Sequence, residues 1–471
     1  MKRYEALAHE IAESIAAGQL RPGERVPSVR EASRSRGVSP STVFEAYYLL
    51  EARGLLEARP RSGYFVSRAV GKQPEPQSSQ TATNERPVEV SELVFQVLGH
   101  ARNRTLVPMG SAFPSPALFP LPKLALATGK ALRRLDPWRT VEDLSPGSAA
   151  LRRQIGLRYL GMGCGVDADE LVITNGAMEA LNLCLESVTQ PGDLVAVESP
   201  TFYAALQALE RHNLRAVEIA THPRTGIDVA ALAAVMDKHP VKACWLMPNF
   251  QNPLGSLMPD SAKQSLVELL TRHDVPLIED DVYGELYFGA HKPRPAKAWD
   301  RSGLVMHCSS FSKTLAPGYR VGWAAAGRFA KEVAQRKLMS SIAAPLPSQE
   351  GLSEYLQRGG YDRHLRQLRA TLARHLHAVQ RAIAKHFPAG TRVTQPEGGY
   401  FLWVEMPEQV DALELHRLAL SQDISLAPGQ LFSADRRFRH HVRINFGHPD
   451  HANFQAALKT VGTIAKALAA S

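Results

Sequence analysis

Residues 304–313 read Leu304-Val305-Met306-His307-Cys308-Ser309-Ser310-Phe311-Ser312-Lys313, a nearly continuous apolar run ending in hydroxyls and a lysine. A run of this length without strict polar alternation suits a strand buried on both faces. A lysine directly after such a strand can have its amine desolvated and its pKa lowered, which makes it a nucleophile toward a carbonyl. Working outward, similar runs stand at Leu171-Val172-Ile173-Thr174, Leu194-Val195-Ala196-Val197, Ala243-Cys244-Trp245-Leu246-Met247 and Pro276-Leu277-Ile278. Helical stretches lie between them, so the alternation predicts a parallel sheet within an α/β layer. This large subdomain is expected over about 150–328. From about Phe329 the chain turns helical and Arg-rich, then gives strand-like Gly399–Val404 and Val442–Asn445. That shift predicts a smaller α+β subdomain over about 329–471, completed by the N-terminal part of the body.

Polar residues at the ends of these strands form a set. Asn175-Gly176-Ala177-Met178 lies between a strand and a helix, so the free N–H groups of Gly176, Ala177 and Met178 can make a phosphate nest. Ser310, Ser312 and Arg320 can add hydroxyls and a bidentate fork to the same phosphate. Asp280, after its strand, can pair with a protonated pyridine nitrogen. Asn252 and Tyr283 can hydrogen-bond a ring hydroxyl, Phe202 can stack on a ring face, and Arg443 can bind a substrate or effector α-carboxylate. With Lys313 as the catalytic amine for a Schiff base, this is the inventory that pyridoxal 5'-phosphate requires. It sits where open α/β sheets bind ligands.

The first 67 residues carry a different pattern. Tyr4, Leu7, Ala8, Ile11 and Ile15 share one helix face, which stops at Gly18. A second helix is predicted from Ser28 to Arg36, ended by Gly37. Ser39 as cap and Pro40 at the first helical position then start a third, with Val43, Ala46, Tyr47 and Leu50 buried. Leu55-Leu56-Glu57 and Tyr64-Phe65-Val66 flank a basic turn and predict a two-stranded wing. Three short helices of this spacing lay the third into the major groove of double-stranded DNA. Ser39, Ser41 and Thr42 would face phosphates at its N-terminus, with Arg25, Arg30 and Arg61 as further contacts and Gly63 letting the wing tip approach.

Between these parts, residues 68–89 are rich in Gln, Ser, Pro and Thr and poor in large apolar residues. Such a segment reads as a flexible linker, spanning roughly 25 Å on average as a coil. It divides the chain into a head (1–67) and a body (90–471). The net charge of +9 is spread over head and body and is weak support for a nucleic-acid partner by itself. No run of eighteen or more apolar residues occurs, so no membrane span is expected. Cys164, Cys184, Cys244 and Cys308 are distant in sequence and apolar in setting, and are expected to be reduced in a cytoplasmic protein. The start Met1-Lys2-Arg3-Tyr4-Glu5 leads into an amphipathic pattern with acidic residues and does not read as a signal peptide.

Two resemblances follow. The run Gly18-x-Leu20-x-Pro22-Gly23-x-Arg25-Val26-Pro27-Ser28-x-Arg30, with Gly37-Val38-Ser39-x-Ser41-Thr42-Val43, Gly54-Leu55 and Gly63-Tyr64-Phe65-Val66, resembles the GntR winged-helix family. It implies that Arg25, Ser28, Arg30, Ser39, Ser41, Thr42, Arg61 and Gly63 lie at or near DNA. Pro40 departs from it where some relatives carry a base-reading arginine. Asn175-Gly176-Ala177, Pro200-Thr201-Phe202, Asn249-x-x-Asn252-Pro253-x-Gly255, Asp280-Asp281-Val282-Tyr283, Ser310-x-Ser312-Lys313, Gly318-x-Arg320-x-Gly322 and Arg443-x-Asn445-Phe446 together resemble the fold-type I aminotransferases. Both in one chain resemble the MocR subfamily of regulators, which implies a homodimer with cofactor sites at the subunit interface. Glu142 stands where that resemblance expects a tyrosine, and Ala112 and Ser115 where it expects Gly and Asp. These changes lie around the substrate side and favour cofactor binding over efficient turnover.

Three readings compete. In the first, pyridoxal phosphate or its adduct with an amine or amino acid effector shifts a dimeric regulator between states of different DNA affinity. In the second, the body is a working aminotransferase that the head tethers. In the third, the body has lost its cofactor. The presence of Lys313, Asp280, Asn252, Tyr283 and Arg320 argues against the third, and the complete winged helix against the second as sole function, although weak transamination can coexist with regulation.

Overall fold

A computed structural model of the chain describes residues 3–59, 62–67, 73–79, 81, 85–99 and 103–470. In the head, helices Arg3–Ala16, Val29–Arg36 and Pro40–Ala52 precede the antiparallel strands Leu56–Arg59 and Gly63–Val66. The signals that predict these helices act as expected. Ser28 caps the second helix in a capping box with Glu31, Gly37 closes it in the left-handed conformation, and Ser39 caps the third. Leu7, Ala8, Ile11, Val26, Val43, Ala46, Tyr47 and Leu50 form the head's own core. Tyr47 satisfies its buried hydroxyl on the Pro27 carbonyl at 2.7 Å.

The body is built on one large sheet. From one edge its strands run Arg86–Pro87, Arg215–His222, Leu194–Ser199, Val241–Leu246, Leu277–Asp280, Val305–Ser310, Gly322–Ala325 and Leu171–Thr174, with Gly226–Ile227 hooked onto the second. The five strands from Arg215–His222 to Val305–Ser310 are mutually parallel. The sheet is nonetheless mixed, because Gly322–Ala325 runs antiparallel to both neighbours and Arg86–Pro87 is antiparallel at the edge. Alternate residues feed opposite cores: Val172 packs with Ala180 and Cys184, while Leu171 and Ile173 pack with Tyr159 and Phe311. The antiparallel sheet Arg392–Val393, Phe401–Glu405, His441–Asn445 and Ala427–Pro428 forms the smaller unit. The segment 107–115 joins it, with Asn445 N donating to Met109 O and Ser115 N to Gly447 O.

The expected boundary near Phe329 falls too early. Helix Ala330–Ser341 still packs on helix Ala177–Val188 and strand Leu171–Thr174 of the large layer, and the small sheet begins only at Arg392. The expected free spacer also differs. Val393 N bonds to Pro74 O, Ser79 Oγ to Ser199 O at 2.6 Å, Glu75 pairs with Arg224, and Arg86–Pro87 adds to the sheet edge. A segment poor in large apolar side chains is held here mainly by backbone hydrogen bonds and ion pairs, which composition does not register, with Val88 buried at its end. All four cysteines are free and buried, but Cys184 and Cys308, distant in sequence, have sulfurs 3.6 Å apart.

Candidate active site and nucleic-acid interface

The parallel strands end along one edge of the sheet, and the loops that follow bring the predicted residues together. Lys313 Nζ donates to Ala112 O at 2.8 Å and lies 3.7 Å from the centre of the Phe113 ring. Desolvation, reinforced by Arg443 and Arg320 and opposed by Asp280, brings its amine down to about 7. Asp280 is buried at the end of strand Leu277–Asp280. Burial and the neighbouring Asp281 raise its carboxyl to about 7, against the pull of Lys313. Tyr283, also buried, meets Tyr400 edge-on at 5.4 Å, and burial pushes its phenol up.

Arg320 is brought to the loop before helix Ala177–Val188, the place the sequence offers as a phosphate nest. Gly176 has φ 90° and precedes helix Ala177–Val188, whose first N–H groups have no partner within the helix. Arg320 Nη2 donates to Asn175 O at 2.8 Å. Ser312 N donates to Ser310 Oγ at 3.3 Å. Asn175 is held from behind by Glu179, which is paired with Lys337 at 2.8 Å. Phe202 stands at the N-cap of helix Tyr203–Arg211 and packs on Tyr203, with ring centres 4.7 Å apart.

Arg443 is fully buried, against Phe401 at 4.2 Å and Phe432 at 5.2 Å. Its Nη1 donates to Asn252 Oδ1 at 3.0 Å, as suits a carboxylate-binding pair. Its Nη2, however, is occupied by Gly110 O at 2.8 Å and Ser111 O at 3.2 Å. The segment 110–113 therefore covers Lys313 and Arg443 with backbone carbonyls. Asn445 Nδ2 clamps that segment through Ser111 O and Phe113 O, and His448 adds a contact to Phe113 O. The sequence singled out Ala112 and Ser115 by their identity but not this covering role, because a carbonyl carries no side-chain signature.

Several buried polar atoms here lack a partner among the described residues: Asp280 Oδ1, Asn252 Nδ2, Ser312 Oγ and Arg443 Nε. Buried polar atoms are nearly always paired, so a cluster of orphans on four separate segments marks a place shaped for a polar ligand. Sequence reasoning missed the layer behind it. Trp323 Nε1 donates to Tyr159 OH (2.9 Å), Tyr159 OH meets His307 Nδ1 (2.6 Å), and His307 Nε2 meets Asp281 Oδ2 (3.0 Å). Asn249 Nδ2 reaches Asp281 Oδ1 at 3.3 Å, and buried Lys263 donates to Asn249 Oδ1 at 2.6 Å. The one available signal was His307, a lone imidazole inside an apolar strand. Glu198, likewise missed, accepts from Met247 N at 3.0 Å, and burial raises it to about 8.

In the head, Ser39, Ser41 and Thr42 form a hydroxyl cluster at the open end of helix Pro40–Ala52, with oxygens 2.8 and 2.9 Å apart. Arg25 and Arg30 are exposed. Ser28 spends its hydroxyl on its own helix cap. Gly63, with φ 94°, lets the wing pass the Arg25 side chain, which would lie 3.5 Å from an added Cβ. Arg61 lies outside the described residues.

Comparison with known proteins gives the same division. Residues 3–66 match the family described as bacterial regulatory proteins, gntR family, and residues 144–461 match aminotransferase class I and II. The chain is 45% identical to the uncharacterized HTH-type transcriptional regulator YdcR of Escherichia coli (strain K12), over 98% of this chain and 99% of that one. It is 39% identical to the uncharacterized HTH-type transcriptional regulator YjiR of the same organism, over 98% of each. Among solved structures, LysN, an α-aminoadipate aminotransferase from Thermus thermophilus complexed with N-(5'-phosphopyridoxyl)-L-leucine, superposes with a TM-score of 0.72. It is 28% identical, over 81% of this chain and all of that one. With a GntR-type winged helix in front and a class I and II aminotransferase fold behind, along the full length of such regulators, the chain belongs to the MocR subfamily of transcriptional regulators.

Proposed function

We propose that the body binds pyridoxal 5'-phosphate on Lys313 and that the head binds double-stranded DNA, so that an amine or amino acid reaching the cofactor alters DNA affinity. The observation that carries this reading is the set of orphaned atoms around Lys313. Asp280 Oδ1 lacks a donor such as a pyridinium N–H, Asn252 Nδ2 an acceptor such as a ring oxygen, and Ser312 Oγ a partner such as a phosphate oxygen. When bound, the cofactor supplies an aldehyde that condenses with an amine, releasing water, and a ring that accepts electron density. The chain's own contribution is positional. Gly176, Ala177, Met178, Ser310, Ser312 and Arg320 would hold the phosphate, Asp280, Asn252, Tyr283 and Phe202 would hold the ring, and Arg443 would await a carboxylate.

On the head, Arg25, Arg30, Arg61, Ser28, Ser39, Ser41, Thr42 and Gly63 are the residues assigned to DNA. The partner of the body is a second copy of the chain. Trp138 and Val141 are 69% and 63% exposed, and Leu144 is exposed beside them. Ser145 Oγ bonds to Ala334 O at 2.9 Å, which sets this patch next to helix Ala330–Ser341 with its exposed Met339. Ser341 in turn reaches Asn175 Nδ2 at 3.4 Å, so the apolar surface adjoins the phosphate cradle. Such a contiguous exposed patch is characteristic of a protein interface.

The test is the visible spectrum of purified protein loaded with pyridoxal phosphate and titrated with amines and amino acids. A visible band that shifts on amine addition without release of a ketoacid supports a sensor. Bleaching with stoichiometric ketoacid makes the body a working aminotransferase, and no band at all overturns the cofactor assignment.

A further inference from the structure

Helix Gly360–His386 has 27 residues and so runs about 40 Å. It makes polar contacts at three levels. In its first two turns, Tyr361 OH lies 2.7 Å from Thr314 Oγ1 and His364 Nε2 lies 2.7 Å from Thr314 O. Thr314 is the residue after Lys313. Further along, Arg369 donates to Glu285 O at 3.2 Å and lies over the Tyr287 ring at 4.0 Å. Glu285 stands two residues past Tyr283. Although burial works against it, Lys292 (2.8 Å) and Arg158 (2.6 Å) hold its carboxyl down to about 2. Further still, the Arg374 guanidinium lies 4.2 Å from the centre of the Tyr48 ring and 3.8 Å from Glu51, both on helix Pro40–Ala52 of the head. The His377 ring fits against Gly54, where an added Cβ would lie 3.0 Å from it.

We propose that this helix is the rod by which occupancy of the Lys313 site re-aims the winged helix, an inference that rests on the cofactor reading above. A hydrogen-bonded helix moves as a body, so displacement of the loop around Thr314 or Glu285 moves its whole length. The head's third helix is seated on the rod by its C-terminal half, at Tyr48 and Glu51, while its N-terminal hydroxyls at Ser39 and Ser41 stay exposed. The rod thus holds the recognition helix without covering the end that faces DNA. Coupling of this kind requires an element whose arrangement both sites bias, and this helix touches both.

The experiment is hydrogen–deuterium exchange of the full-length protein with and without pyridoxal phosphate, following peptides over 309–320, 366–381 and 45–58. Loading is expected to change exchange at least threefold in all three regions of the unaltered protein. Arg374→Ala, and separately Glu51→Gln, should keep the visible band and the response at 309–320 but lose that at 45–58. A response at 45–58 that survives undiminished in both variants overturns the rod. So does unaltered protein that shows the band and the local response but none at 45–58. Absence of any visible band in unaltered protein would instead sink the cofactor reading, and the rod with it.

Discussion

The guanidinium of Arg320 occupies the space a side chain at residue 176 would need: an added Cβ on Gly176 would lie 2.4 Å from Arg320 Nη2. Because Gly176 also has φ 90°, an alanine there meets both a clash and a backbone conformation that L-residues avoid. Gly176→Ala should therefore displace Arg320 and weaken pyridoxal phosphate binding by roughly tenfold or more, at about 1–2 kcal/mol of combined strain. Absorbance titration reads this directly, and an unchanged dissociation constant would remove Arg320 from the cradle.

Lys313→Ala should abolish the visible absorbance of the loaded protein while leaving its helix content unchanged. Persistence of the band would move the covalent attachment to another lysine.

The pH dependence of cofactor uptake follows from the depressed Lys313 amine. A lowered amine pKa means that the neutral, nucleophilic fraction grows as pH rises through about 7 and is nearly complete above it. The uptake rate should rise to a plateau there, whereas an ordinary lysine would keep gaining toward its own pKa of about 10.4. Since Asp280 opposes the depression, Asp280→Asn should move the midpoint lower. Stopped-flow absorbance across the neutral range measures both.

Arg30 is exposed in the helix that precedes the hydroxyl cluster. Arg30→Ala should weaken DNA binding and, for one lost phosphate contact, reduce the slope of log affinity against log salt by about 0.9. Fluorescence anisotropy at several salt concentrations tests this, and an unaltered slope would take Arg30 off the phosphates.

Trp138→Glu places a charge in the exposed apolar patch. It should shift the protein toward monomer in sedimentation velocity and weaken pyridoxal phosphate binding at the same time, because the patch adjoins the Asn175 loop. A dimer that persists unchanged would place the interface elsewhere.

Much of the site was readable because its chemistry is local. Each of Asn175–Met178, Asp280–Tyr283 and Ser310–Lys313 is a short motif directly after an apolar strand, and a parallel sheet delivers all such ends to one edge. Strand Arg215–His222 escaped the pattern because it begins with an exposed arginine and carries Glu218 in its middle, a residue buried with Ser433 and Arg437. The blocked state of Arg443 was also out of reach. It depends on carbonyls of Gly110 and Ser111, more than three hundred residues away, and backbone acceptors are the same in every sequence. The 68–89 segment misled for a related reason: low apolar content excludes a core but not a strand edge with ion pairs.

That pinned segment alters how the regulator would measure DNA. With Pro74, Glu75 and Ser79 bonded to the body, only six residues, 68–73, separate that anchorage from the end of the wing at Ser67. Even fully extended, that stretch bridges roughly 20 Å. In the homodimer proposed above, two heads so closely leashed to their bodies would act as the jaws of a fixed caliper. Adding half a helical turn between half-sites, about five base pairs, rotates one site to the far side of the duplex. A head on so short a leash cannot follow it there, so operator phase, more than the letters between the half-sites, would decide which promoters such a protein can hold.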